Sequence, residues 1–229
     1  MYCDLVAREI KTFIFFSVGV AFLALGLAFL TQSGLGTSPI GAPMWVLTLV
    51  TTLSFGTWNL VFNVCFVVMQ WLLLRRDFPL WYWIQVPIAI LFSILLDAFM
   101  ALLTTHAPEA YLGRFLFMLA GVVIVALGVA LEVATAKYFL PGEGIVAAIA
   151  RVSSWRFPSV KIGFDVSLVT LAIILSLILF QRVEGVREGT LVAAVFTGVI
   201  VGWIQRPIDL LHDKFVGPNP PRQKKNDAV

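Results

Sequence analysis

An all-α integral membrane protein built from two internal repeats is the fold class this sequence predicts, with about six transmembrane helices plus two short re-entrant or broken ones. Three observations predict it. Of 229 residues, 60% are hydrophobic and 13% charged, with a mean hydropathy of +0.95. A soluble domain carries about 25% charged residues, so too few polar side chains remain here to cover a surface in water. Intrinsic disorder requires the opposite composition. The apolar residues fall into eight runs, and the last four repeat the order of the first four. The chain reads as a single membrane domain, 1–229, with repeats over about 12–104 and 112–206 and a polar tail over 207–229.

The first run, residues 12–31, follows Arg8 and Lys11. It is too long for the core of a signal peptide and no convincing cleavage site follows, so it reads as an uncleaved span. Gln32-Ser33-Gly34-Leu35-Gly36-Thr37-Ser38-Pro39 then breaks the pattern without a charge. A shorter run covers 40–53. Full-length runs follow at 56–74, closed by Arg75-Arg76-Asp77, and at 80–103, which contains Asp97. In the second half, 112–135 holds Glu132, and Lys137-Tyr138-Phe139-Leu140-Pro141-Gly142-Glu143-Gly144 makes the break. The run 145–152 is short and meets Arg151 and Arg156, and 160–180 and 189–204 complete the set. From Pro207 the chain is polar and a frayed tail is expected, with Pro218, Pro220, Pro221, Lys224 and Lys225 in it.

At an offset of 102 positions Gly19 falls on Gly121, Ala24-Leu25-Gly26 on Ala126-Leu127-Gly128, Pro39 on Pro141, and Phe62-Asn63-Val64 on Phe164-Asp165-Val166. Ala-Leu-Gly matches arise by chance among apolar helices. The proline in both breaks and the Asn63/Asp165 pair point to an inherited duplication. Copies that each cross the membrane an odd number of times are inverted relative to each other, an architecture that places a transporter's site between broken helices at the midplane.

Positive charge arbitrates between eight spans and six. With eight, and the N-terminus inside, Arg75, Arg76, Lys137, Arg182 and Arg187 all face outward. With the two short runs re-entrant, Arg75, Arg76, Lys137, Arg151, Arg156 and Lys161 join Arg8, Lys11 and the basic tail inside, leaving Arg114, Arg182 and Arg187 outside. Six spans fit better, with both termini cytoplasmic.

Gly34-Leu35-Gly36-Thr37-Ser38-Pro39 after the first span resembles the signature of the bacterial YczE/YyaS/YitT group of integral membrane proteins. Arg187-Glu188-Gly189-Thr190, opening the last span, resembles that group's recurring Gly-Thr turn. Leu140-Pro141-Gly142-Glu143-Gly144 resembles the Pro-Gly-Gly break of the YitT branch, with Glu143 departing from it. The resemblance covers most of residues 12–208. It implies a fold and a location, the bacterial inner (cytoplasmic) membrane, and no substrate.

Irregular backbone at membrane depth must be buried in protein or line a wet cavity, so the two Gly/Pro breaks are the best pointers to a solute path. Proline suits the first turn of a following half-helix, whose free N–H groups and positive dipole end can seat an anion or carboxylate. The plainer reading is a tight turn without a ligand. Glu143 either caps its half-helix or is a protonatable group that couples transport or orders a cation, with Lys137 placed to neutralise it. Intramembrane carboxylates mark a pathway or an ion pair. Asp165 follows Lys161 by four residues, which suits a local pair, and Asn59 and Asn63 occupy the equivalent face in the first copy. Glu132 lies near the end of its span, and Asp97 has either a pathway role or a hydrogen bond between helices. Gln70 and Gln85 read as helix-joining amides, and Gly19, Gly26, Gly121 and Gly128 as close-packing positions.

Gly36, Thr37, Ser38, Pro39, Asn63, Asp97, Glu132, Lys137, Pro141, Gly142, Glu143, Gly144, Lys161 and Asp165 are therefore the candidate substrate-binding residues. Cys3, Cys65, His106 and His212 are isolated, so no metal site or disulfide framework is expected. No catalytic set, phosphate loop or dinucleotide fingerprint occurs; the protein is expected not to be an enzyme and to need no cofactor. Basic residues sit at run ends rather than in a stripe, which argues against nucleic acid. The expected partners are the lipid bilayer and a small-molecule or ion solute, with a homodimer left open. The leading expectation is a transporter or channel for a small polar or charged solute. The alternative is an accessory membrane protein that binds a partner protein and transports nothing.

Overall fold

The computed structural model of the protein describes residues 2–217. The elements are α1 (Tyr2–Gln32), α2 (Ala42–Val50), α3 (Phe55–Leu74), α4 (Gln85–Thr104), α5 (Tyr111–Thr135), α6 (Pro141–Ser153), α7 (Phe157–Phe180) and α8 (Glu188–Phe215). Two 3₁₀ turns, Arg75–Asp77 and Leu80–Ile84, lead from α3 into α4. No strand occurs among the described residues. Six helices, all but α2 and α6, are long and apolar enough to cross a membrane. At 1.5 Å per residue, the 9 residues of α2 and the 13 of α6 rise about 14 and about 20 Å, short of the ~30 Å hydrocarbon layer.

Local chemistry sets the helix ends. Ser54 caps α3 by accepting the Thr57 N–H. Pro141 opens α6, where a missing N–H costs nothing. The first copy differs from expectation here. Pro39 lies ahead of α2 in a turn, and the proline of the first helical turn is Pro43, behind the N-cap Gly41. The polar tail also begins later than expected, because α8 continues through Pro207 to Phe215. Its last turns find an apolar seat: His212, 1% exposed, packs edge-on against Phe15 with ring centroids 5.2 Å apart. Val216 joins Phe15, Leu131 and Ala134 in one cluster. The expected tail residues Pro218, Pro220, Pro221, Lys224 and Lys225 lie outside the described residues.

α1 and α5 form the centre and run antiparallel. A Cβ on Gly19 would lie 3.2 Å from the Gly128 carbonyl oxygen, and one on Gly128 2.9 Å from that of Gly19. Gly26 and Gly121 face each other in the same reciprocal way. The four glycines singled out by the repeat thus form one crossing at which the backbones touch. Around it, α4 packs on α1 and α8 on α5, while α6 packs on α3 and α2 on α7. The ends match: the Gln32 amide donates to the Met100 carbonyl (3.0 Å) and Thr104 hydroxyl (2.8 Å), and Lys137 meets Glu9 at 2.5 Å.

One packing has no counterpart. α3 lies tightly on α4, where Gly56 meets the Ser93 carbonyl. α7 and α8 make no comparable contact, and no atom comes within 4 Å of a Cβ built on Gly163, Gly198 or Gly202.

Candidate functional site

The two breaks lie in different surroundings. In the first, Gly34 and Gly36 have φ of 68° and 124°, a region that favours glycine. A Cβ on Gly36 would lie 2.6 Å from the Thr190 hydroxyl. The Gly189 N–H donates to the Leu35 carbonyl (2.8 Å), the Thr37 N–H to the Thr190 hydroxyl (3.2 Å), and Arg187 to the Gly34 carbonyl (3.2 Å). The Thr37 and Thr31 hydroxyls pair at 2.8 Å, and the Gly41 N–H donates to Ser38 Oγ at 3.1 Å. The two sequence motifs that carry the family resemblance therefore clamp each other. The Thr37 N–H and the close approach of Gly36 to Thr190 serve that clamp, the Ser38 hydroxyl bonds within the break, and Pro39 is buried beside them.

The second break is held from two sides. Gln70 and Gln85 exchange amide hydrogen bonds of 3.0 and 3.1 Å, and Gln70 also donates to the Pro141 carbonyl at 3.3 Å. Gly144 lies against this pair, where a Cβ would sit 2.7 Å from Gln70 Oε1. Replacing Gln70 alone by leucine strands a buried amide, so Gln70→Leu is expected to destabilise by about 1–3 kcal/mol, while Gln70→Leu with Gln85→Leu costs markedly less. Thermal unfolding of the two variants in detergent checks this. On the other side, Glu132, 5% exposed, accepts the Leu140 N–H at 2.5 Å and so ties the break to α5.

Four ionisable groups lie within electrostatic range of one another at this break. Lys161 and Asp165, one turn apart on α7, form an ion pair of 2.9 Å. Lys161 and Asp165 both act electrostatically on Glu143, and Glu143 and Lys161 on Glu132. Three carboxyl groups thus lie within electrostatic range of one lysine, more acidic groups than the single ammonium can pair with. Among the described residues, no group of three His, Cys, Asp or Glu side chains could hold a metal ion. The breaks themselves meet next to this cluster: Gly142 faces Ile40, whose Cδ1 would be 3.2 Å from a Cβ there. That contact is apolar.

Other predicted residues lie elsewhere. Lys137 does not neutralise Glu143. It pairs with Glu9 across the end of the bundle, next to Tyr138, and Lys161 takes the expected role. Partial burial pulls the Lys137 ammonium down, but the hydrogen bond and attraction of Glu9 outweigh it and hold the pKa above the ordinary lysine value. Asp97 makes a helix–helix link, accepting from Ser54 Oγ (2.5 Å) and the Gly56 N–H (2.7 Å) at the start of α3. Asn63 is buried and donates to the Asn59 carbonyl at 2.9 Å. Glu9 and Ser54 escaped the sequence reading, since nothing local marks their partners.

A model of a family of unknown function, DUF6198, matches residues 10–206. The chain is 24% identical over 190 residues to the uncharacterized protein YyaS of Bacillus subtilis (strain 168), covering 82% of this chain and 90% of that protein. The resemblance read from the breaks thus extends over most of the chain. No solved structure matches.

Proposed function

The chain belongs to the DUF6198 family of unknown function, and from that premise we propose that it is a bacterial inner-membrane carrier or channel for a small polar or charged solute, not an enzyme. The observation that carries this reading is the group of Glu132, Glu143, Lys161 and Asp165, gathered where a broken segment enters the bundle. Charge at such depth is costly, and function is its default explanation. An excess of carboxylates favours a cationic or zwitterionic solute, or proton coupling.

The proposed topology has six spans, two re-entrant helices and both termini cytoplasmic. The end contacts support it. With six spans, the C-terminal ends of α1 and α4 share the outer side, as the Gln32–Thr104 bond requires, and Glu9 and Lys137 share the inner side. Full crossings by α2 and α6 would separate both pairs. The reciprocal glycine crossing of α1 and α5 supports inverted repeats, since equivalent positions are exchanged in its two halves.

The test is counterflow in proteoliposomes with a panel of radiolabelled amino acids, polyamines and organic acids. The wild type is expected to exchange at least one compound, and Glu143→Gln with Asp165→Asn to lower that flux at least tenfold while the protein stays monodisperse. Equal flux in both proteins rejects the site. Folded wild-type protein that exchanges nothing in the panel favours the accessory, partner-binding reading.

A further inference from the structure

We propose that Trp71, Leu72, Arg75 and Arg76 form a binding site for the headgroup of an anionic phospholipid. These four residues line a cleft of about 460 Å³ at the end of α3, the last turns of the candidate span Phe55–Asp77. The cleft joins two chemistries. Trp71 and Leu72, 48% and 58% exposed, turn an apolar face outward from the bundle. Arg75 and Arg76 close the helix and begin the 3₁₀ turn.

Neither guanidinium has an ion pair or side-chain hydrogen bond among the described residues, although Asp77 is adjacent in the chain. Lys137, Lys161, Arg182 and Arg187 pair with Glu9, Asp165, Glu184 and Glu188, whereas Arg151, Arg156 and Arg206 share with Arg75 and Arg76 the lack of an ion pair among the described residues; what sets Arg75 and Arg76 apart is the cleft they line. Two unpaired guanidiniums offer forked donors that match phosphate oxygens. Trp81 and Trp83, both exposed, follow in the 3₁₀ turn Leu80–Ile84, a composition that suits the boundary between hydrocarbon and water. A phosphodiester on the arginines would let its glycerol and upper acyl chain lie along Leu72 and Trp71. A soluble phosphate ester would leave that apolar half of the cleft unused, and the occupant is therefore a lipid. Basic clefts on the cytoplasmic side of membrane helices are suited to such headgroups. The proposal rests on the membrane topology above and is independent of the carrier site.

The full chain, reconstituted in nanodiscs of equal phosphatidylglycerol and phosphatidylcholine and then released into detergent, is examined by native mass spectrometry. Wild type is expected to retain phosphatidylglycerol in preference. Arg75→Gln with Arg76→Gln should lose about tenfold of that retention at an unchanged thermal midpoint, and Arg75→Lys with Arg76→Lys should keep part of it. Equal retention by wild type and the glutamine variant overturns the proposal. Displacement of the lipid by millimolar glycerol phosphate overturns it in favour of a soluble phosphate ester. Failure of the protein to float with liposomes after an alkaline wash rejects the membrane topology instead.

Discussion

Lys161→Met is expected to lower the stability of the folded protein by about 1–3 kcal/mol, less than the cost of breaking a fully buried ion pair because this one is partly exposed. The ammonium pairs with Asp165 and faces Glu143 and Glu132. Without it, Glu132, Glu143 and Asp165 lose the one cation that acts on all three. The Lys161 and Asp165 side chains keep 29% and 22% exposure, so the loss falls below what a fully buried pair would show. The measurement is thermal unfolding in mild detergent, with a rescue arm. Lys161→Met combined with Asp165→Asn restores charge balance and should recover at least half of the lost stability, because neighbours in one network are not additive. A Lys161→Met protein as stable as wild type would mean that the four groups do not act as a unit, and the proposed site would lose its basis.

Gly26→Ala is the second large effect. A Cβ at this position would lie 2.5 Å from the Val125 nitrogen and 2.9 Å from the Gly121 carbonyl oxygen, contacts that only a separation of α1 from α5 relieves. Overpacking of this kind costs about 1–3 kcal/mol, and the upper end applies because the obstacle is backbone. Gly198→Ala is the matched control, since nothing lies within 4 Å of the added carbon. Its thermal midpoint should stay within error of wild type, whereas Gly26→Ala falls clearly and Gly26→Leu gives little folded protein. Equal midpoints for Gly26→Ala and Gly198→Ala would refute the glycine crossing.

Periodicity and spacing carried the sequence reading as far as they reach. Apolar runs located all eight helices because a helix in lipid needs an unbroken apolar stretch. The 102-residue offset found Gly19, Gly26, Gly121 and Gly128 because duplication preserves positions where backbones must touch. The Lys161–Asp165 pair was legible because residues four apart share a helical face. What stayed hidden was partnership across helices. Glu9 finds Lys137 from 128 positions away, and Asp97 finds Ser54 from 43. Such pairs follow from which helices pack, information that no local pattern contains. The same limit explains why proximity in sequence suggests Glu143 as the partner of Lys137 while the fold supplies Glu9, and why α8 outlasts its polar composition. The interior seat of His212 on Phe15 is likewise a tertiary fact.

The antiparallel crossing of α1 and α5 has a mechanical consequence. Side chains can change rotamer and slide past one another, but a joint in which Gly26 rests on Val125 and Gly121 backbone has nothing to rearrange. It is an axle rather than a hinge. The short helices α2 and α6 follow the breaks after α1 and α5, and each packs most closely on a long helix of the other repeat, α7 and α3. For the proposed carrier, this shaft is the part expected to stay fixed, and the Ile40–Gly142 contact, where the two breaks touch, is the point at which they would part.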